Sequence, residues 1–338
     1  MATTTTAVLT LSEVFDLSKD ALVGCGASTT NADPVANAIA AAEAEGFRHG
    51  GLAYLVHYCE HLRSGRVNGR AVPIVRDQAP SVIQVDADNG FCHAAFAMAE
   101  AEFLARVGDR GVACLLITRS YTASALGWFV DRLARSGLVS MAFTNSAPLV
   151  APWGGKRRFL GTNPLAFAAP RPGEPPLVID MATSATARVN VVEAASQGRP
   201  IPAGWALDRD GQPTTDPQRA LEGTVAPLGG YKGTGLALMV EILAAGLTGS
   251  NWSNAVVPMA VNEGPPLGLG QLFLAFAPAR LGVPAFSDRL EAMLKEMLAE
   301  EGVHVPGDRR HAARVRAERE GVTVPSVLIA KLKGYAGR

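Results

Sequence analysis

The sequence reads as an α/β protein in which helices from both chain ends flank a strand-rich middle, and three observations predict this. Residues 10–64 and 285–338 carry apolar positions at helical spacing behind recognisable capping residues. Between them, apolar runs of strand length alternate with Gly, Pro, Asn, Thr and Ser. No Gly-x-Gly-x-x-Gly follows a strand: Gly24-Cys-Gly26 comes nearest and lacks the third glycine, so a dinucleotide here is not held by a Rossmann turn. The chain has 338 residues, 48% of them hydrophobic, enough for two or three cores at roughly 150 residues per domain. We expect one domain from residues 1–75 and 285–338, and a second from 76–284 with a small helical subdomain near 190–250.

The elements follow in order. Thr10-Leu-Ser-Glu13 is a capping box that opens a helix with Leu11, Val14, Phe15 and Leu22 on one stripe. Asp33-Pro34 reads as the start of a second helix, with Val35, Ala38, Ile39 and Ala42 buried and Gly46 as its stop. A third helix runs from Leu52 to Ser64. Ser81 to Ala87 alternates like a strand, Asp88-Asn89-Gly90 is a turn, and Phe91 to Arg106 is an Ala-rich helix with Ala95, Met98, Ala99 and Phe103 on one face. Gly111 to Thr118 is a continuous apolar run and hence a central strand. Leu138 to Thr144, Leu165 to Ala169, Leu177 to Ile179 and Leu272 to Phe276 are further strands. The valine-rich run Arg188 to Val192 favours an extended segment, and Pro213 to Pro217 a turn. An apolar helix spans Leu236 to Leu247, and Asp288–Glu301, Asp308–Glu320 and Pro325–Lys333 are terminal helices.

Composition narrows the function. The 31 basic and 31 acidic residues cancel, which argues against nucleic acid as a partner. No apolar run approaches the roughly 20 residues that span a bilayer, and the N-terminus lacks the features of a signal peptide. Cys25, Cys59, Cys92 and Cys114 form no CxxC pair and no metal spacing, as expected of reduced thiols in a cytoplasmic protein. His57-Tyr-Cys-Glu60-His61 matches the H-x-x-E-H pattern of inverzincin metalloproteases, with a solvated or packed His pair as the commoner alternative; we expect no metal.

The stretch Thr144 to Ser184, TNSAPLVAPWGGKRRFLGTNPLAFAAPRPGEPPLVIDMATS, organises the rest. Its Pro and Gly content excludes a helix. Its loops offer backbone amides and short polar side chains, the equipment for a phosphate-bearing ligand, although a plain β-meander has the same composition. Lys156-Arg157-Arg158 beside Gly161-Thr162-Asn-Pro164 suits a 2′-phosphate, with a solvated basic turn as the alternative. His49, between Arg48 and two glycines, precedes a helix N-terminus.

APWGG (Ala151–Gly155), LGTNP (Leu160–Pro164) and DMATS (Asp180–Ser184) resemble the signature of the malate/L-lactate dehydrogenase family, whose members lack a Rossmann fold. The similarity continues through Ile201–Pro217, Gly229–Gly249 and Val305–Val322, in family order. It implies a non-Rossmann NAD(P)-binding domain on a largely antiparallel or mixed sheet, and a homodimer. It implies a proton donor at His49, with Arg48 orienting it or binding the substrate carboxylate in place of an arginine four residues later, where Ala53 stands. Asn190 falls at a charge-relay position. Ser120, Thr144 and Asn145 fall beside the substrate. Thr122, Ala123, Ser124, Ala125, Leu126, Lys156, Arg157, Thr162, Asp180, Met181, Ala182, Tyr231, Lys232, Arg309 and Arg310 fall beside the cofactor, NADPH or, alternatively, NADH.

The family reaction moves hydride between nicotinamide C4 and a carbon beside a carboxylate. A ketone needs an acid at its oxygen as hydride arrives, whereas a cyclic ketimine is protonated beforehand and is already an electrophile. A family His is replaced here by Thr122, which favours imine reduction, and Glu241–Gly249 is closer to the ketimine reductases. The expected activity is NADPH-dependent reduction of Δ1-piperideine-2-carboxylate and Δ1-pyrroline-2-carboxylate to L-pipecolate and L-proline. The alternatives are an NAD-dependent 2-hydroxyacid dehydrogenase and a cofactor-binding homologue without catalysis.

Overall fold

The computed structural model describes residues 5–47 and 50–337. Strand β1 (Thr6–Leu9) leads into α1 (Leu11–Gly24), whose capping box forms as the sequence predicts: the Glu13 amide donates to Thr10 Oγ1, and Thr10 N–H to the Glu13 carboxylate. Helix α2 (Thr29–Ala44) starts four residues before Asp33, because the Ser28 hydroxyl accepts the Asn31 amide and caps it. Pro34 therefore sits inside the helix, where it gives up one backbone hydrogen bond. The expected face of Val35, Ala38, Ile39 and Ala42 is buried all the same. Helix α3 (Leu52–Ser64) ends at the left-handed Gly65.

The middle of the chain builds one seven-stranded mixed sheet. Its elements are β2 (Ile74–Ala79), β3 (Val82–Asp86), α4 (Cys92–Arg110), β4 (Val112–Ser120), α5 (Leu126–Arg135), β5 (Val139–Thr144), β6 (Leu165–Ala169) and β7 (Leu177–Met181). Next come α6 (Arg188–Ser196), β8 (Ala206–Leu207), β9 (Pro213–Thr214), α7 (Pro217–Glu222), β10 (Thr224–Val225), α8 (Tyr231–Glu241) and β11 (Leu269–Phe276). The sheet order is β2-β3-β4-β11-β5-β6-β7, and β3–β4 is its one parallel pair. The Gly111–Thr118 run is thus an inner strand, as expected.

Alternation along the strands fills two layers. Ile83, Val85, Leu115, Ile117, Ala166 and Ala168 face α4 and α5, packing on Phe96, Phe103, Phe129 and Val130. Met98 does not join that face: it is 55% exposed, while Ala95, Ala99 and Phe103 at strict four-residue spacing are buried. On the opposite face, Phe143 and Leu272 pack against Val240 and Ala244 of α8 and the turn that follows it. Helix α8 starts earlier than Leu236, and residues Ile242–Gly246 form a π-helical turn rather than a further α-helical one. The cause is local: Leu247 N–H reaches back five residues to the Ile242 carbonyl.

Residues Arg188–Val192 are helical, not extended. Val191 and Ala194, three apart, bury against Ile201, Ala206 and Ala220, and this burial outweighs the strand preference of valine. Pro213–Pro217 is more than a turn, since it pairs as β9 and then starts α7 behind the Asp216 cap. The chain closes with α9 (Phe286–Met297), α10 (Asp308–Glu320), β12 (Val322–Pro325) and α11 (Ser326–Tyr335). Strand β12 pairs with β1, and Leu332 and Tyr335 share a core with Val14, Leu22, Val35 and Leu55, so both ends of the chain make one helical layer. Helix α9 instead covers β6 and β7 through Phe286, Leu290 and Leu294. No described helix is long and apolar enough to cross a membrane.

Candidate active site

Strand β4 ends in a hydrogen-bonded knot. Ser120 Oγ donates to Gln271 Oε1 at 2.5 Å, Gln271 Nε2 donates to Thr144 Oγ1 at 3.1 Å, and Thr144 Oγ1 reaches the Gly270 carbonyl at 3.2 Å. Asn145 donates to the Asn251 carbonyl and accepts the Gly270 amide. Ser120, Thr144 and Asn145 are thus brought together, fully buried, with these polar groups engaged in aligning the ends of β4, β5 and β11.

The loop Thr122–Leu126 leaves this knot. Thr122 Oγ1 accepts the Ser124 amide at 3.2 Å, and Ser124 adopts a left-handed φ of 55°. Ala123 and Leu126 are buried, and Ala125 caps α5. The first turn of α5 is pressed onto β7: Gly127 N–H donates to Asp180 Oδ2 at 2.9 Å, and a Cβ at Gly127 would come within 3.1 Å of that oxygen. Arg310 pairs with Asp180 at 3.5 Å and lies 5.8 Å from the Phe47 ring. Burial pushes the Asp180 carboxyl up, opposed by the Gly127 amide and Arg310. Arg48 and His49 lie outside the described residues. Gly50 packs on Ser124, since a Cβ there would lie 2.7 Å from Ser124 Oγ.

A second set of residues forms a rim. Met181 and Ala182 end β7, and Thr183 donates its amide and its hydroxyl to the Thr162 carbonyl, both at 2.9 Å. The Leu228 amide then donates to the Thr183 carbonyl, so the Thr162, Thr183 and Leu228 segments lie side by side. Past Leu228, the Trp153 ring covers Gly230, where a Cβ would come within 2.9 Å. Trp153, Met181 and Tyr231 are exposed, as is Lys232 beside them. Of the basic trio, Lys156 and Arg157 face solvent, whereas Arg158 donates to the Leu221 and Gly223 carbonyls. Asn190 bonds back to Thr186 Oγ1 at 3.0 Å, and Arg309 is exposed at the start of α10.

The H-x-x-E-H segment is committed to packing. Buried His61 shares a 2.6 Å hydrogen bond with the Tyr121 hydroxyl, while its Nε2 meets Arg66 and the Val261 carbonyl. Burial and the neighbouring Arg66 hold its pKa near about 4, so the ring is neutral. Glu60 accepts the Tyr335 hydroxyl. Arg66 itself is fully buried and donates to the carbonyls of Val257, Pro258, Val261 and Pro265, which ties that segment down.

Sequence reading missed Tyr58. Its ring is buried among Tyr54, Phe91 and Tyr121, and its hydroxyl lies beside Ser124 without a well-aligned partner. Burial pushes the phenol well up, so it stays protonated. The only signal in the sequence was the Tyr54/Tyr58 pair one helical turn apart. A buried donor left open beside the loop, an apolar rim of Trp153, Met181 and Tyr231, and cations at Lys156, Arg157 and Lys232 fit a nicotinamide dinucleotide.

Residues 9–333 match the malate/L-lactate dehydrogenase family. The chain belongs to that family. This malate/L-lactate dehydrogenase family member is 42% identical to the (2R)-3-sulfolactate dehydrogenase (NADP(+)) of Chromohalobacter salexigens, covering 97% of this chain and 98% of the relative. It is 38% identical to the Δ1-pyrroline-2-carboxylate reductase of Ancylobacter novellus, covering 98% of each. The crystal structure of the Δ1-piperideine-2-carboxylate reductase from Pseudomonas syringae superposes with a TM-score of 0.93 at 36% identity, covering 97% of this chain and 99% of that one. The family's relatives are oxidoreductases, and the sheet of this member is the largely antiparallel one that its motifs led us to expect.

Proposed function

We propose that this chain is an NADPH-dependent reductase of cyclic ketimines, converting Δ1-piperideine-2-carboxylate and Δ1-pyrroline-2-carboxylate to L-pipecolate and L-proline. The observation that carries this reading is the Thr122–Leu126 loop, which brings no imidazole or carboxylate to the site. Its two hydroxyl side chains are Thr122, whose oxygen accepts the Ser124 amide, and Ser124, which lies beside the Tyr58 hydroxyl, and the adjacent Gly50 has no side chain. A wall of neutral donors suits a substrate whose nitrogen takes its proton before hydride arrives. Identities of 37–39% to several Δ1-pyrroline-2-carboxylate reductases support the same class.

Bound NADPH supplies the hydride from C4 of its nicotinamide. Loop Thr122–Leu126, Asp180–Ala182, Thr162, Tyr231 and Lys232 would hold it, with Lys156, Arg157, Arg309 and Arg310 near its phosphates. His49 delivers the proton and Arg48 the carboxylate contact, Asn190 orients the donor through its amide, and the Tyr58 hydroxyl donates to the substrate from the α3 side. Ser120, Thr144 and Asn145 act on the substrate by fixing where the loop begins. The protein works as a cytoplasmic homodimer.

A second reading, a 2-hydroxyacid dehydrogenase, is favoured by the 42% identity to a sulfolactate dehydrogenase. NADPH oxidation with each cyclic imine, set against pyruvate, oxaloacetate and the 2-oxo partner of 3-sulfolactate, separates the two. The imines should turn over faster, and faster turnover of any 2-oxoacid moves the assignment to the second reading. NADPH binding without turnover of any of them would mark a homologue that has lost catalysis.

A further inference from the structure

We infer that Glu241 is a positioning residue, a buried carboxylate that fixes Asn163 and thereby sets Thr162 at the cofactor site. The inference rests on the proposed function in one respect, the contact of Thr162 with the cofactor. Glu241 closes α8 immediately before the π-helical turn and is 5% exposed. Its hydrogen-bond partners are neutral. Oε2 accepts Asn163 Nδ2 at 2.6 Å and Ser253 Oγ at 2.6 Å, and Oε1 accepts the Ser253 amide at 2.6 Å. Burying a carboxylate without a cation is costly, and an apolar side chain could fill the same space. What an apolar side chain cannot do is accept at two oxygens at once.

Asn163 explains the need. It is fully buried and holds a left-handed φ of 35°, a conformation that its surroundings must enforce. Its amide nitrogen also donates to the Ala237 carbonyl at 2.9 Å, and its oxygen accepts Ser253 Oγ at 3.3 Å. Gly161 closes the loop from the other side, since a Cβ there would lie 2.4 Å from Asn163 Oδ1 and from Ser146 Oγ. Between them sits Thr162, half-buried, with its amide on Ser146 Oγ and its carbonyl on Thr183. Its hydroxyl lies 3.3 Å from Ser146 Oγ, so the same loop contacts fix the side chain.

Glutamine at 241 keeps the shape but replaces one acceptor with a donor, which meets either the Asn163 or the Ser253 N–H head-on. In the full-length protein, Glu241→Gln should weaken NADPH binding, read by fluorescence titration, by ~10-fold, the loss expected of one hydrogen bond to a charged group. Glu241→Asp, which keeps both acceptors, should recover most of it. The loss should also be non-additive with Thr162→Val: the double variant binds no worse than Thr162→Val alone. Wild-type affinity in Glu241→Gln, or losses that add with Thr162→Val, would overturn the inference while leaving the proposed function standing. A wild-type protein that binds no NADPH overturns both. Should Glu241→Gln not fold, Ser253→Ala carries the same test, with a smaller loss expected and unchanged affinity overturning the inference.

Discussion

At the scale of single residues, Tyr58 is the side chain whose environment asks most clearly for a ligand. Buried hydroxyls are almost always paired, and this one is not. Tyr58→Phe removes only the oxygen. Losing an unpaired buried polar group should raise stability by about 1 kcal/mol, while losing a donor to the substrate should lower turnover by ~10-fold or more. A thermal melt beside an NADPH oxidation assay reads both, and a variant as active as the wild type would make Tyr58 a core residue. The site residues legible in the sequence were those inside short motifs, such as Asp180 and Thr162. Tyr58 and Glu241 were not, because the groups that surround their polar atoms come from residues 124, 163 and 253.

Among the elements, α4 and α5 meet through an unusual ring. His93, in the first turn of α4, is fully buried against Trp128 and Phe129, and neither ring nitrogen has a partner. Burial lowers its pKa to about 3. An unfolded imidazole titrates near about 6.5, so below that pH the unfolded chain binds a proton that the folded chain refuses. His93 therefore favours folding above pH ~6.5 and loses this contribution as pH falls toward about 3, by about 2 kcal/mol at pH 5. His93→Phe should flatten the fall in melting temperature between pH 7 and pH 5, and an unchanged slope would assign acid sensitivity elsewhere. The same scale shows where periodicity succeeds and fails. Helix α1 appears where its capping box and apolar stripe place it, since those signals are local, and α3 and α10 keep the bounds read from the sequence. Helix α6 does not, because Val191 is buried by residues up to 29 positions ahead.

For the whole molecule, the open question is what covers α8. Residues 233–253 contain one charge, Glu241, and it is buried. Leu238, Met239, Ile242, Leu247 and Trp252 of this segment are all more than 40% exposed, beside Tyr231 at the site. A patch of this kind marks an interface, and an uncharged face can meet its own copy about a two-fold axis without repulsion. We predict a dimer in sedimentation equilibrium at micromolar concentration, shifted to monomer by Ile242→Glu or Leu247→Glu. A monomeric wild type would sink the homodimer and leave the cofactor residues of one chain to act alone.

The sequence by itself determined most strand and helix periods, the capping box of α1 and the motif order that marks the family, because each of these is written within a few adjacent residues. Tertiary structure alone decided which polar groups stay open and which are spent. Ser120, Thr144 and Asn145 look like ligand contacts in the sequence, yet folding turns their polar groups inward onto Gln271, Gly270 and Asn251. Folding leaves the Tyr58 hydroxyl unpaired, as it does that of Thr224, and the sequence marks Tyr58 only by its spacing from Tyr54. The reason is physical: a hydrogen bond is a property of two groups, and here the second group arrives from a distant part of the chain.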